Sequence, residues 1–234
     1  MADYGSMRYY PVFLDLQGVS CLVVGGGRVG ERKVKTLQAC GARLFLISRE
    51  LTPYLEEEVR QGRLTFLAPD YDERYLKDMF LVIGATDDPV LNRRIGKEAK
   101  ERGLLCNIAD QPADCNFILP SLVVRGDLII AVSTAGNSPA LAKRIRMDLE
   151  RMYSESYGPY LHLLGELRKE ILALHLPQEE NQKIFEALVE APVRTWMEEG
   201  DFPAFKRLLD RLLSAHARTL SLGEKFRSFF PDPS

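Results

Sequence analysis

The chain has 234 residues, 46% of them hydrophobic, enough to bury a core in one large domain or two smaller ones. Lysine and arginine total 31 against 33 acids, a formal charge of −2, which excludes bulk attraction for nucleic acid or an anionic membrane. No run approaches the roughly 18 apolar residues of a membrane span, and no charged lead opens into an apolar one. The four cysteines, Cys21, Cys40, Cys106 and Cys115, lack CxxC spacing and read as reduced core thiols of a cytoplasmic protein.

The opening MADYGS differs in character from the rest of the chain, with Met7 as the natural start, and is left out of the fold reasoning. Val19 to Val24 is an apolar run ending in three glycines, and Arg28 to Cys40 places Val29, Val34 and Leu37 near helical spacing, which predicts strand, tight turn and helix. Leu44 to Ile47 is a second strand. Thr52 then Pro53 caps and opens a helix to about Gln61. Leu64 to Leu67, Phe80 to Gly84 and Leu104 to Ile108 are further strands, with a polar helix from Pro89 to Arg102 between the last two. This alternation predicts right-handed βαβ units and a parallel sheet. Phe117 to Val124 and Leu128 to Ser133, joined around Arg125, Gly126 and Asp127, predict an antiparallel pair. From Ser138 onward the chain reads as nearly all helix, broken near Gly158, Pro177, Pro192 and Gly200 to Pro203.

The expected organisation is thus α/β: a Rossmann-type parallel sheet over 7–116, a strand pair and linking helix over 117–152, a helical domain over 153–222, and a loosely attached tail over 223–234.

Gly25, Gly27 and Gly30 form G-x-G-x-x-G between strand and helix. Such glycines permit the tight turn, let backbone approach a pyrophosphate and let helix pack on strand, while the helix start offers free N–H groups to phosphate. In this context a nucleotide site is the better reading, and a turn without ligand the alternative. Glu50 lies about 20 residues after Gly30, where an acid can accept the ribose hydroxyls of NAD, whereas Arg49 would favour the phosphate of NADP; NAD is preferred, with solvated loop charge as the plain reading of both. Thr86 and Asp87, at the carboxyl end of their strand, could line the adenosine side, while Asp88 could simply cap the helix at Pro89. Asn107, Asp110 and Pro112 reach the same edge. Asp110, partly shielded from water, could serve as a general base or a metal ligand, or be an ordinary turn residue before Gln111-Pro112.

Five linked motifs then make a family visible: YPVFLDL at Tyr10 to Leu16, VVGGGRVGERK at Val23 to Lys33, GATDDPVLN at Gly84 to Asn92, CNIADQPADCNFILPS at Cys106 to Ser121, and AVSTAGNSPALA at Ala131 to Ala142. In this order they closely resemble the precorrin-2 dehydrogenase and sirohydrochlorin ferrochelatase family, which includes the N-terminal half of siroheme synthase. The resemblance implies NAD-dependent oxidation of precorrin-2 to sirohydrochlorin and, in some members, insertion of ferrous iron to give sirohaem. It implies Asp110 as the catalytic aspartate and Arg28, Val29, Arg49 and Glu50 as NAD contacts. Thr134 stands where some relatives carry serine, and Gly30 where some carry alanine. The resemblance implies that the helical region from Tyr153 to Leu222 helps close the substrate cleft and, with the strand pair before it, forms a homodimer, and a separate protein is implied for the methylation step.

A polycarboxylate substrate needs cations and free backbone donors. Ser138 before Pro139 is a strong helix start, followed by Lys143, Arg144 and Arg146, with a solvated basic face as the alternative. His162, His175 and His216 are too dispersed for a metal site. A nucleotide-sensing regulatory module is the competing function, and it lacks a recognisable output element.

Overall fold

A computed structural model describes residues 8–214 and 222–231, so Met7 and His216 lie outside the described residues. The chain divides into two compact units, Met1–Leu119 and Pro120–Ser234.

In the first unit five strands, β1 (Ser20–Val24), β2 (Arg43–Ile47), β3 (Thr65–Ala68), β4 (Leu81–Gly84) and β5 (Leu105–Ile108), form one parallel sheet in the order β3-β2-β1-β4-β5. Each lies within a residue or two of its predicted run, because a strand covered on both faces must be apolar throughout. Side chains alternate between the faces. Cys21 and Val23 join Val34, Leu37 and Leu46 in one core, whereas Leu22 and Val24 join Ile95, Ala99 and Cys106 in the other. Burying an aliphatic side chain of this size stabilises by roughly 1.5–3 kcal/mol, so the two cores carry the fold.

The strands are connected through helices α1 (Arg28–Ala39), α2 (Pro53–Arg60) and α3 (Pro89–Glu101). The face of α1 toward the sheet is Gly30, Val34 and Leu37. Val29, expected on that face, is instead 39% exposed, since its position lies about 100° around the helix from Gly30. Thr52 caps α2 by accepting from the Leu55 amide. The buried carboxylate of Glu58 is satisfied by Arg63, whose Nε donates at 2.8 Å, and by Gln38. Of the cysteines read as core thiols, Cys21 and Cys106 are buried and Cys115 is half-buried, whereas Cys40 is exposed at the α1 C-cap.

The second unit begins with the antiparallel pair β6 (Ser121–Arg125) and β7 (Leu128–Val132), paired from Ser121↔Val132 to Arg125↔Leu128. Helices α4 (Pro139–Met152), α5 (Tyr157–Leu172), α6 (Gln178–Glu190), α7 (Val193–Glu199) and α8 (Phe202–Leu212) follow. Three breaks fall at the residues that predicted them, Pro177 and Pro192 as N-caps and Gly200 ending α7 at φ 74°, whereas Gly158 lies inside the first turn of α5 and the chain breaks just before it, over 153–156. Among the described residues no helix is long and apolar enough to cross a membrane.

The tail differs from expectation. Residues Gly223–Phe229 form a 3₁₀ helix, and Leu222, Phe226 and Phe230 are buried in the core with Phe205 and Leu208. The Phe205 and Phe230 rings stand 4.9 Å apart. Closely spaced apolar side chains anchor this segment despite its polar, proline-bearing composition.

Candidate active site

The register aligns the strand ends. Ile47 pairs with Val24, Val24 with Gly84, and Gly84 with Ile108. The ladder then runs one residue further, Gly25 N donating to Ile47 O at 2.8 Å, Ala85 N to Val24 O at 2.7 Å and Ala109 N to Gly84 O at 2.8 Å. The glycine turn, the Ser48–Glu50 loop, Thr86–Asp87 and Asp110 therefore leave one carboxyl edge side by side. From Gly25 to Ala109 is two strand spacings, roughly 10 Å. In open α/β sheets this edge, where strand order reverses between β1 and β4, is where ligands bind.

The glycines have distinct geometry. A Cβ on Gly25, whose φ is 114°, would stand 2.2 Å from Ala85 O, and one on Gly30 would stand 1.9 Å from Gly25 O. These two close the turn on itself and on β4. Gly27, the N-cap of α1, is exposed and a Cβ there would meet nothing within 4 Å. As the N-cap, Gly27 precedes the first-turn amides of α1, which have no partners within the helix. An open glycine backbone beside free amides fits the pyrophosphate of a dinucleotide. Arg28 and Val29 flank that space and are exposed.

The β2 loop is strapped to this turn. Gly26 N donates to Ser48 Oγ at 2.8 Å, Ser48 Oγ donates to Glu50 O at 2.7 Å, and Thr52 N donates to Gly26 O at 3.1 Å. Ser48 carries no motif in the sequence, yet it fixes where Glu50 stands. Arg49 Nε instead reaches Asp70 at 2.7 Å, an exposed pair.

On β4, Thr86 spends its hydroxyl within the turn. It donates to Asn92 Oδ1 at 2.8 Å, while Asn92 Nδ2 donates to Thr86 O at 2.9 Å. Asn92, the last residue of the GATDDPVLN motif, is 4% exposed, a role that the motif does not itself spell out. Asp87 is exposed. Asp88 accepts from the amides of Val90 at 2.8 Å and Leu91 at 3.1 Å, the capping role that its place before Pro89 suggests. Asp88→Ala is therefore expected to cost about 1 kcal/mol of stability in thermal unfolding with NAD affinity unchanged.

Asp110 follows β5 with φ 58° and is exposed, so it lacks the expected shielding from water. Asn107 turns its amide inward, donating to Phe117 O at 3.2 Å, and Pro112 opens a short 3₁₀ turn. Lys33 of α1 is half-buried. Burial pulls its ammonium pKa down and Arg32 adds to that, while Cys115 and Asp110 act against it, so α1 and the Asp110 turn share one electrostatic environment.

In the second unit the loop after β7 closes on itself. Ala135 and Gly136 take φ 52° and 88°, Ser138 N donates to Thr134 Oγ1 at 3.1 Å and Thr134 Oγ1 donates to Ser138 O at 3.0 Å. Ser138 Oγ caps α4, accepting from Leu141 N at 3.2 Å. Arg144 pairs with Asp148 at 3.1 Å and Arg146 with Glu150, whereas Lys143 is exposed and unpaired among the described residues. His162 lies edge-on to Phe229 and His175 sits at φ 55° beyond α5. Among the described residues no three His, Cys, Asp or Glu are grouped to hold a metal. A cavity of about 540 Å³ lined by Gly126, Glu155, Gly158 and His162 holds none of the predicted site residues.

Known proteins match this arrangement. Residues 12–121 fit NAD_binding_7, an NAD(P)-binding family, and residues 125–152 fit the sirohaem biosynthesis protein central family. Siroheme synthase of Nitrosospira multiformis is 34% identical over 224 residues, covering 94% of this chain and 48% of that protein. Siroheme synthase of Sodalis glossinidius is 34% identical over 209 residues, covering 89% and 44%. The chain thus spans about half the length of these curated relatives. The solved structure of SirC, precorrin-2 dehydrogenase, superposes with a TM-score of 0.75 at 30% identity, covering 88% of this chain and all of that one. By fold, by motif order and by this full-length match, the chain belongs to the precorrin-2 dehydrogenase and siroheme synthase family.

Proposed function

We propose that this protein is an NAD-dependent oxidoreductase that converts precorrin-2 to sirohydrochlorin in sirohaem biosynthesis. The observation that carries the reading is the shared carboxyl edge, which sets the open glycine turn and Asp110 roughly two strand spacings apart, the separation between a pyrophosphate site and a reacting centre on one sheet.

Gly25, Gly27, Arg28, Val29 and Gly30 would hold the pyrophosphate and Glu50 the ribose hydroxyls, with Thr86 and Asp87 beside the adenosine. Bound NAD supplies the hydride acceptor. Oxidation of precorrin-2 releases one hydride and one proton, and Asp110 takes the proton at its carboxylate before passing it to water. Thr134, Ser138, Lys143 and Arg144 of the second unit would engage the substrate carboxylates, with Lys143 the cation most available for it.

The same face is proposed to accept ferrous iron as a second substrate, Asp110 taking up pyrrole protons that the metal displaces. Association as a homodimer is supported by the exposed Leu122, Val124 and Ile129 of the strand pair and Leu141 and Ile145 of α4, an apolar set of the kind that marks an interface. A cytoplasmic location is supported by the four free thiols.

The purified protein with precorrin-2 and NAD should form NADH and sirohydrochlorin together, and sirohaem once ferrous iron is added. NAD bound but never reduced would instead mark a nucleotide sensor. NAD should outperform NADP in kcat/KM, because Glu50 is free to meet ribose hydroxyls while Arg49 is engaged by Asp70. A clear advantage for NADP would show that Arg49 leaves Asp70 to bind the extra phosphate.

A further inference from the structure

We infer that Cys115 is a positioning residue for Asp110, its thiol pinning the turn that carries the carboxylate and thereby setting the rate of precorrin-2 oxidation. The inference rests on the assignment of Asp110 as the base.

Asp110 occupies the left-handed region at φ 58°, which a non-glycine residue keeps only where its surroundings hold it. The Cys115 sulfur lies at the centre of that turn. It accepts from Ile108 N at 3.1 Å and from Asn107 Nδ2 at 3.7 Å. Its S–H is 3.4 Å from both Ile108 O and Gln111 O, the carbonyls on either side of Asp110, and donates to one at a time. One side chain thus joins the chain before the turn to the chain after it.

The need arises from the sheet. β5 is an edge strand, so its outer amides lack a neighbouring strand and require other partners. Residues 115–117 supply them: Asn116 Oδ1 accepts from Cys106 N and Asn116 Nδ2 donates to Leu104 O, both at 2.7 Å. Asn116 tethers the segment further back along β5, whereas the Cys115 side chain spans the Asp110 turn. Removing the thiol should therefore free the turn without releasing the segment. The influence of both Cys115 and Asp110 on the half-buried Lys33 ammonium places the thiol beside the carboxylate's own surroundings.

The test compares Cys115→Ala, Cys115→Ser and Asp110→Asn, with kcat and KM for precorrin-2, Kd for NAD and the unfolding temperature measured for each. The expected result is a kcat about ten- to a hundredfold lower in Cys115→Ala, the scale of a misplaced catalytic group, with NAD Kd unchanged. Cys115→Ser should recover most of the rate, since a hydroxyl donates and accepts in the same places. A parental kcat in Cys115→Ala beside an impaired Asp110→Asn overturns the inference and leaves the role of Asp110 standing. Parental rates in both overturn that role and the inference with it. Equal losses of rate and NAD affinity in Cys115→Ala and Cys115→Ser would show a general structural role and also overturn the inference.

If Cys115→Ala does not fold, the question is put to Cys40→Ser protein treated with methyl methanethiosulfonate, which turns the Cys115 thiol into a methyl disulfide unable to donate. Burial pushes the Cys21 and Cys106 thiols up to about 11 and about 12, so they react far more slowly. A fall in kcat at constant NAD Kd supports the inference, and an unchanged kcat after full modification of Cys115 overturns it.

Discussion

Asp110→Ala and Asp110→Asn are both expected to bind NAD with parental affinity and to oxidise precorrin-2 about 10²- to 10⁴-fold more slowly, the usual loss for a positioned general base. In barrier height that is roughly 2.7–5.5 kcal/mol. The separation of binding from rate follows from position: Asp110 leaves β5, while the glycine turn leaves β1 on the far side of β4. The two variants divide the effect further. Asparagine tolerates the left-handed backbone at φ 58° better than alanine, so Asp110→Asn removes the charge and little else. If the alanine variant were slow and the asparagine variant at the parental rate, turn geometry and not proton transfer would be the contribution of this residue. Steady-state rates with precorrin-2 and NAD titrations decide between them, and ferrous iron insertion measured on the same proteins shows whether Asp110 serves one reaction or both.

Gly27→Val is expected to fold with an unchanged unfolding temperature and to bind NAD about ten- to a hundredfold more weakly, a loss of roughly 1.4–2.8 kcal/mol. A Cβ at Gly27 meets nothing within 4 Å in the protein itself, so the added side chain clashes only with what binds there. Gly25→Ala makes the contrast. Its Cβ would lie 2.2 Å from Ala85 O on a backbone at φ 114°, and it should lose stability before any question of ligand arises. Equal NAD affinity for Gly27→Val and the parent, measured by calorimetry on folded protein, would move the pyrophosphate away from this turn.

The strands are readable because parallel strands covered on both faces are unbroken apolar runs, and Val19 to Val24 or Phe80 to Gly84 differ from their observed spans by a single residue. The caps at Thr52 and Ser138 are equally readable, since a short hydroxyl side chain before proline has few other uses. Ser48 is not, because it joins its side chain to backbone 22 residues away and such a bond leaves neither periodicity nor spacing behind, while the motifs that contain Asn92 and Asn116 do not show which backbone groups those amides hold. The tail escapes for another reason. Leu222, Phe226 and Phe230 stand four apart, a helical spacing, but they lie in a short run that is largely polar between them and followed by proline, so composition reads as a loose end. Thr86 and Asp88 show that a polar residue at the right edge of a sheet can be occupied with holding its own loop.

The strap through Ser48 bears on the thermodynamics of cofactor capture. Fixing one residue of backbone costs about 1–2 kcal/mol in conformational entropy, and a loop that must become ordered around its ligand takes that cost out of the affinity. Here Gly26, Ser48, Glu50 and Thr52 are already joined by hydrogen bonds before any nucleotide arrives. The phosphate-facing turn and the loop bearing the acid thus meet the dinucleotide as one rigid body, and each contact adds to affinity without an ordering cost. Ser48→Ala would uncouple them. Calorimetry should then show NAD binding with a more unfavourable entropy, although the serine hydroxyl itself is spent on the protein's own backbone.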